Sequence, residues 1–197
     1  MPGSPDILCI GIRNLSMHLR DLSLSGLSAS PELFWPTVEQ QQPQSASAPT
    51  SPPSWPHLET LYLKLEPLDS YGRFYAAQNT PVESTKRALQ RPMRGLHQLI
   101  AAAGRAVSQG GMPRLQMMLL EIEDPRLQVM LNLDGDERGD FRLEWLSQPP
   151  VEWTDEVLDA WGLDWRMCEV EEERWVMEEG KVAEAYWSFA ANLVPWR

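Results

Sequence analysis

The stretch Leu58-Glu-Thr-Leu61-Tyr-Leu63 has two counterparts elsewhere in the chain, Leu19-Arg-Asp-Leu22-Ser-Leu24 and Leu115-Gln-Met-Met118-Leu-Leu120. All three follow the pattern Leu-x-x-(Leu/Met)-x-Leu. In the stretches that begin at Leu58 and Leu115, a proline stands two residues before the first leucine. This pattern is typical of the strand half of a leucine-rich repeat. Because a single repeat unit cannot bury its apolar face alone, such units stack around a common core. The repetition predicts parallel strands and a binding surface rather than a catalytic centre.

The composition is that of an ordinary soluble domain. The chain has 197 residues, of which 43% are hydrophobic and 23% charged, so one domain with a sizeable core is expected. The two cysteines, Cys9 and Cys168, are far apart, which favours a reducing compartment over a disulfide framework. No signal peptide or membrane-spanning stretch is visible, and we expect a cytoplasmic or nuclear protein.

Negative charge is concentrated in the second half of the chain. Residues 1–110 carry 9 basic and 8 acidic side chains, a net of +1, whereas residues 111–197 carry 8 basic and 20 acidic side chains, a net of −12. Nucleic acid is therefore a poor partner, because phosphate binding needs positive charge. The acidic half is compatible with a protein partner that has a basic surface, although a solvated acidic face is the simpler interpretation.

The first half of the chain contains segments of contrasting character. Residues 7–15 are apolar enough for a short helix or a strand, and their periodicity does not decide between the two. Pro31 permits a single helical turn that ends at Pro36. Residues 37–54 are rich in Gln, Ser and Pro and are predicted to be a disordered loop. Order resumes with the strand Leu58–Leu65.

The middle of the chain is predicted to hold one helix. Residues 66–92 look irregular, with Tyr71, Phe74 and Tyr75 as packing anchors. Apolar residues recur at helical spacing over Met93–Ser108, and two glycines follow this stretch.

The second half is predicted to add a meander. The stretch 115–122 is apolar at consecutive positions, as in a strand covered on both faces. Two alternating stretches, 127–133 and 141–145, then predict an antiparallel hairpin. Thr154 and Gly162 bracket a short helix, Trp165–Val170 is a candidate strand, and 181–193 shows helical spacing.

Together these elements predict a single α/β domain over residues 1–197. We expect a short, irregular leucine-rich-repeat-like array with parallel inner strands, which ends in a small antiparallel meander and a helix. The structure of residues 171–197 is left uncertain.

The order of several motifs resembles that of F-box and leucine-rich-repeat-like proteins of filamentous fungi. The matching motifs are the three repeat stretches, Ile12-Arg-Asn-Leu-Ser16, Pro31-Glu-Leu-Phe-Trp-Pro36, Trp55-Pro-His-Leu58, Tyr71-Gly-Arg-Phe-Tyr75, Met112-Pro-Arg-Leu115, and Trp153 with the segment 156–161. The resemblance covers about residues 7–165 and implies the substrate-recognition part of a ubiquitin ligase receptor. Nothing before Leu19 leaves room for an F-box, so we expect a fragment, a truncated product or a stand-alone relative.

No motif predicts catalysis, a cofactor or a metal site. The acidic stretch 134–140 looks like a calcium loop but has Trp145 where a bidentate glutamate is required, which favours a hairpin turn. We therefore expect a non-enzymatic protein-interaction module. Candidate protein-binding residues lie in the acidic, tryptophan-rich end of the chain; they are Trp175, Trp187, Trp196, Glu171, Glu172 and Glu173.

Two alternative functions remain at this point. The chain is also compatible with a non-functional remnant of such a gene, and the carboxylates of Glu169, Glu171, Glu172 and Glu173 are compatible with a hydrolase that uses paired carboxylates. The late tryptophans are as compatible with core packing as with an interface, whereas Trp145, Trp153 and Trp161 are predicted to lie in the core.

Overall fold

The computed structural model describes residues 6–36, 52–75, 94–125, 127–135, 141–148, 151, 153–164, 168–178 and 181–193. Within these ranges the chain forms three α-helices, which are α1 (Ile7–Ser16), α2 (Arg94–Ala106) and α3 (Asp155–Trp161). The seven strands described are β1 (Asp21–Ala29), β2 (Thr60–Asp69), β3 (Met117–Asp124), β4 (Leu127–Gly135), β5 (Phe141–Gln148), β6 (Cys168–Glu178) and β7 (Lys181–Leu193). No helix of these ranges is long and apolar enough to cross a membrane.

The strands form one mixed sheet in the order β1-β2-β3-β4-β5-β7-β6. The pairs β1–β2 and β2–β3 are parallel, and all the other pairs are antiparallel. Parallel neighbours need long crossover connections, whereas the antiparallel neighbours β3, β4 and β5 follow one another directly. The protein is therefore a mixed α/β domain with a parallel part and a meander.

The three repeated stretches are neighbouring parallel strands, as predicted. Leu22 of β1 pairs with Leu61 of β2, and Leu61 pairs with Met118 of β3. Two residues further along each strand, Leu24 pairs with Leu63 in the same way, and Leu63 pairs with Leu120. Equivalent residues of the pattern thus lie side by side across the sheet, and their side chains form continuous apolar rows.

The core lies between one face of the sheet and the helices. Burial alternates along β2 to β5, so every second side chain points into the core. Helix α2 contributes Leu96, Leu99 and Ile100, all fully buried, to the same core. Helix α3 adds Trp161, whose Nε1 donates a hydrogen bond to the Ile100 carbonyl oxygen at 3.1 Å.

The predicted meander is confirmed, but β3 is not covered on both faces. β4 and β5 span the two alternating stretches and pair antiparallel. The outward side chains of β3 remain accessible, and Met117 is 40% exposed. The run of apolar residues misled the prediction because it combines buried Met118 and Leu120 with the half-exposed Leu119 of the opposite face.

The ambiguous segment 7–15 is helical. Asp6 is the N-cap of α1, and its carboxylate accepts a hydrogen bond from the backbone N–H of Cys9 at 3.0 Å. The predicted turn after Pro31 is confirmed as a 3-10 helix over Pro31–Leu33. The predicted disordered loop 37–54 lies outside the described residues except for its last three positions.

The region after β2 differs from the prediction in two respects. β2 continues to Asp69, so the strand extends into the segment predicted to be irregular. Of the predicted anchors, Tyr75 is 4% exposed and lies in the core, whereas Tyr71 is 41% exposed and does not. The predicted helix over 93–108 is confirmed as α2, which continues into a π-turn at Val107–Gly111. Gly162 has a φ of 67° and ends α3 as predicted.

The segment 181–193, whose helical spacing left its structure uncertain, is the strand β7. β7 pairs with β5 on one side and with β6 on the other. The candidate strand at 165–170 is confirmed from Cys168 onward and continues to Glu178. The last described residues therefore form a further antiparallel hairpin and not a helix, because backbone pairing on both sides outweighs a local helical spacing.

Candidate interaction surface

One face of the sheet is covered by none of the helices that the structure describes. We call it the open face and define it by the outward residues of β2 to β5. These are Thr60, Tyr62, Lys64, Glu66, Met117, Leu119, Glu121, Glu123, Gln128, Met130, Asn132, Asp134, Arg142, Glu144, Leu146 and Gln148. All of them are half-buried or exposed, so the face is accessible to a partner.

Hydrogen bonds order the β2–β3 side of the open face. The Tyr62 hydroxyl donates to Glu121 Oε2 at 2.9 Å, and Lys64 Nζ lies 2.6 Å from Glu123 Oε2. The bond to Lys64 lowers the pKa of Glu123 and raises the pKa of Lys64. The bond to Glu121 raises the pKa of Tyr62. Both pairs bridge neighbouring strands and hold their side chains in place.

A second network orders the β4–β5 side. Glu144 accepts hydrogen bonds from Arg142 Nε at 3.0 Å and from Asn132 Nδ2 at 3.3 Å. These two hydrogen bonds outweigh partial burial and lower the pKa of Glu144, and the bond from Arg142 has the larger effect. The carboxylate is therefore ionised at neutral pH and fixed at the centre of the sheet.

The open face combines negative charge with accessible apolar side chains. It carries the carboxylates of Glu66, Glu121, Glu123, Asp134 and Glu144 against the cations Lys64 and Arg142, a net of −3. Between them lie four apolar side chains: Met117, Leu119, Met130 and Leu146. Tyr and Met are enriched in protein interfaces, where a flexible thioether adapts to the partner. This arrangement can bind a basic, partly apolar protein surface.

Five of the six predicted protein-binding residues lie on the hairpin β6–β7, at the opposite edge of the sheet from β1. Glu173 of β6 pairs with Trp187 of β7, which pairs in turn with Ser147 of β5. Trp175 is the register partner of Ala185, and Glu172 that of Ser188. Glu171 falls at a register irregularity between Val170 and Glu172.

The side chains of these predicted site residues are not among those described. Trp196 lies outside the described residues altogether. The structure thus brings their backbones together on β6 and β7, and their role in binding stays a prediction. Trp145, Trp153 and Trp161 are buried in the core as predicted, with the rings of Trp145 and Trp153 in edge-to-face contact at 5.4 Å.

A buried polar cluster lies where α1 meets the carboxyl ends of β1 and β2. Asp6 accepts hydrogen bonds from the Ser30 hydroxyl at 2.7 Å and from the N–H of Cys9, and the Ser30 N–H donates to Cys9 Sγ at 3.4 Å. The hydrogen bonds from Cys9 and Ser30 outweigh burial and lower the pKa of Asp6. Burial, together with Asp6, raises the pKa of the Cys9 thiol to about 11. Cys9 is therefore a poor nucleophile at neutral pH, and the cluster connects α1 to the sheet.

Arg13 extends this cluster towards the 3-10 helix. Its Nη1 donates a hydrogen bond to the Glu32 carbonyl oxygen at 2.9 Å, and both residues are buried. Burial lowers the pKa of Arg13, while the Glu32 carboxylate acts in the opposite direction. Among the described residues, no group of His, Cys, Asp and Glu has the arrangement of a metal site.

Sequence reasoning missed both the open face and the polar cluster. The open face was hidden because its residues alternate with core residues and become a surface only when four strands align in register. Asp6 could have been found, since an acidic residue directly before the apolar stretch 7–12 is a typical helix N-cap. Arg13 and Glu32 carry no comparable local signal.

The fold and its open face define a mixed α/β domain in which the described helices leave one face of the sheet uncovered. The chain belongs to DUF6546, a family of unknown function, whose family model matches residues 11–187. No curated protein matches the chain, and no solved structure does.

Proposed function

We propose that the chain is a non-enzymatic protein-binding module that uses the open face to bind a basic protein surface. The observation that carries the proposal is an accessible sheet face with excess carboxylates, fixed side chains and interspersed apolar residues. Side chains that are already held by hydrogen bonds lose little conformational entropy when a partner binds. Complementary charge accelerates association and selects the partner.

The repeated strands support the same class of function. Parallel, in-register leucine rows are what the resemblance to the substrate-recognition part of fungal F-box proteins implies. We therefore include a leucine-rich-repeat-like architecture in the proposal, with β1, β2 and β3 as its inner strands. The backbone of the hairpin β6–β7, which carries Trp175, Trp187 and Glu171 to Glu173, then extends the sheet beyond β5.

The test compares proteins captured from native extract by the immobilised full chain and by charge-reversed variants. Glu123→Lys and Glu144→Lys change the open face, whereas Asp159→Lys changes an exposed carboxylate of α3 on the opposite layer. We expect a partner that is retained by the wild-type chain and by Asp159→Lys, and lost from both open-face variants. Binding should weaken with added salt, because exposed charges are screened.

Two outcomes would contradict the proposal. One is that no protein is retained above background under several conditions of salt and pH. The other is equal retention by the wild-type chain and by both open-face variants, which would locate any binding surface elsewhere. Thermal melts of each variant separate lost binding from lost folding.

A further inference from the structure

The β1 end of the sheet has an incomplete apolar layer. In the apolar rows across the parallel strands, Leu61 and Leu63 of β2 are at most 1% exposed. Their partners on β3, Met118 and Leu120, are fully buried. The β1 members of these rows, Leu22 and Leu24, are only half-buried. The core therefore reaches the edge of the sheet without being closed there by the described residues.

Helix α1 exposes apolar side chains on its outer face. Ile7 is 79% exposed, Leu8 62% and Leu15 67%, and these are three of the five large hydrophobic side chains that stand exposed in the described part of the chain. Gly11 lies between Leu8 and Leu15 on this face, and no atom lies within 4 Å of the position that a Cβ would occupy there. A second helix can therefore approach α1 closely.

The two edge strands differ in how they resist pairing with another chain. Edge strands are commonly guarded by charged residues or proline. β6 carries Glu at positions 169, 171, 172, 173 and 178, whereas β1 has a single charged residue, Asp21, and neither lysine nor proline. β1 also has register shifts between Ser25 and Leu27 and between Leu27 and Ala29, so it is guarded by bulges rather than by charge. Among the described strands, β1 is thus the less strongly guarded edge for pairing with a further strand.

We propose that two copies of the chain form a two-fold symmetric dimer through α1 and β1. β1 would pair antiparallel with the β1 of the second copy, and the apolar outer faces of the two α1 helices would pack together beside the joined strands. A two-fold interface uses the same patch on both copies, and this patch offers a strand edge and an apolar helix face.

The charge distribution favours a second copy as the occupant. Residues 1–110 have a net charge of +1 and residues 111–197 a net charge of −12. Since β1 and β6 are at opposite edges of the sheet, contact through β1 keeps the acidic parts of the two copies far apart. The open faces stay free in both copies, so the dimer does not depend on the proposed function.

The size of the patch predicts a weak dimer. A nine-residue strand is about 30 Å long, and a strand with an adjacent helix layer is roughly 15–20 Å deep. The contact is therefore on the order of 500 Å² per copy, which is below the standard value of about 800 Å². We expect a dissociation constant in the micromolar range or weaker.

The test is sedimentation equilibrium of the full chain from about 1 μM to about 1 mM, which brackets such an affinity. We expect the wild-type chain to pass from monomer to dimer over this range. Leu8→Glu and Leu15→Glu should each raise the dissociation constant at least about tenfold, because a charge would be buried at the interface. Met117→Glu, at a similarly exposed position on the open face, should leave it unchanged.

Cross-linking tests the strand pairing itself. A cysteine at Ser23 or at Ser25, both exposed on β1, should give a disulfide-linked dimer in at least one of the two variants, and Leu15→Glu in the same chain should suppress it. A cysteine at Gln128 on the open face is the matched control and should give no such dimer.

Four results would overturn the proposal. They are a monomer at all concentrations, a dimer that is insensitive to both α1 substitutions, failure of cross-linking at both serines, and a monomer whose α1 face binds a different protein instead. None of these results affects the charge-reversal test of the open face.

Discussion

Gly104 of α2 lies against the indole ring of Trp161 in α3. A Cβ atom at this position would be 2.6 Å from Cδ1 and 2.7 Å from Nε1 of that ring. Trp161 is fully buried, donates its N–H to Ile100, and lies with its ring centroid 6.0 Å from that of Trp153. The ring can therefore make room for a methyl group only by giving up these contacts.

We expect Gly104→Ala to lower the free energy of unfolding by about 1–5 kcal/mol. Overpacking a core costs about 1–3 kcal/mol, and a buried donor that loses its partner costs about 1–3 kcal/mol more. The removal of a glycine from a helix interior offsets about 1 kcal/mol of this loss. Even the lower end of the range is a noticeable fraction of the stability of a single domain.

The assay is urea unfolding followed by tryptophan fluorescence, with dilute protein so that association does not contribute. The matched control is Gly11→Ala in α1, where a methyl group would meet no atom within 4 Å. This substitution should raise the free energy of unfolding by about 0.5–1 kcal/mol, since alanine loses less backbone conformational entropy than glycine when the helix folds. If Gly104→Ala were as stable as the wild-type chain or more so, the packing of α2 on α3 described above would be wrong.

Three further predictions concern the core and the polar cluster. Leu61→Asp should abolish cooperative unfolding in a circular-dichroism melt. Leu61 is 1% exposed, its burial is worth roughly 1.5–3 kcal/mol, and a buried unpaired carboxylate costs more. An unaltered melting temperature would contradict the core position of Leu61. The pKa of Asp6 is below its unfolded value of about 3.9, so its charge stabilises the fold above that pH and this contribution is lost as the pH falls through the folded pKa. The stability difference between the wild-type chain and Asp6→Asn should therefore shrink on acidification below about pH 4, and a difference that grew instead would refute the assignment. A thiol reagent at neutral pH should modify half-buried Cys168 before buried Cys9, which should react only on unfolding; rapid labelling of Cys168→Ser would show that Cys9 is accessible.

The parallel part of the fold was predictable because self-similarity carries register as well as strand identity. Once Leu22, Leu61 and Met118 occupy the same position of one pattern, side-by-side pairing follows from stacking the units. The meander was predictable for a local reason, since alternation over 127–133 and 141–145 specifies both strands and their inward faces.

The end of the chain was not predictable from its local pattern. In residues 181–193, apolar residues satisfy a helical spacing and an alternating spacing equally well, and alanines favour the helix. Pairing of β7 with both β5 and β6 decides the outcome, and no local window contains that information. The open face escaped for the same reason, since Tyr62 and Glu121 are 59 residues apart in sequence before the sheet joins them.

The change from parallel to antiparallel pairing at β3 has a consequence for the order of folding. β3, β4 and β5 are close together in sequence, so their pairing closes small loops, whereas Leu22 and Leu61 are 39 residues apart and Leu61 and Met118 are 57 apart. Contacts between distant residues form more slowly, because more chain entropy is lost before they are made. We expect the meander to form first and to serve as the template on which β2 and then β1 assemble. Until β2 arrives, the Met-Met-Leu-Leu stretch of β3 is an unpaired apolar edge, and aggregation during refolding should begin there.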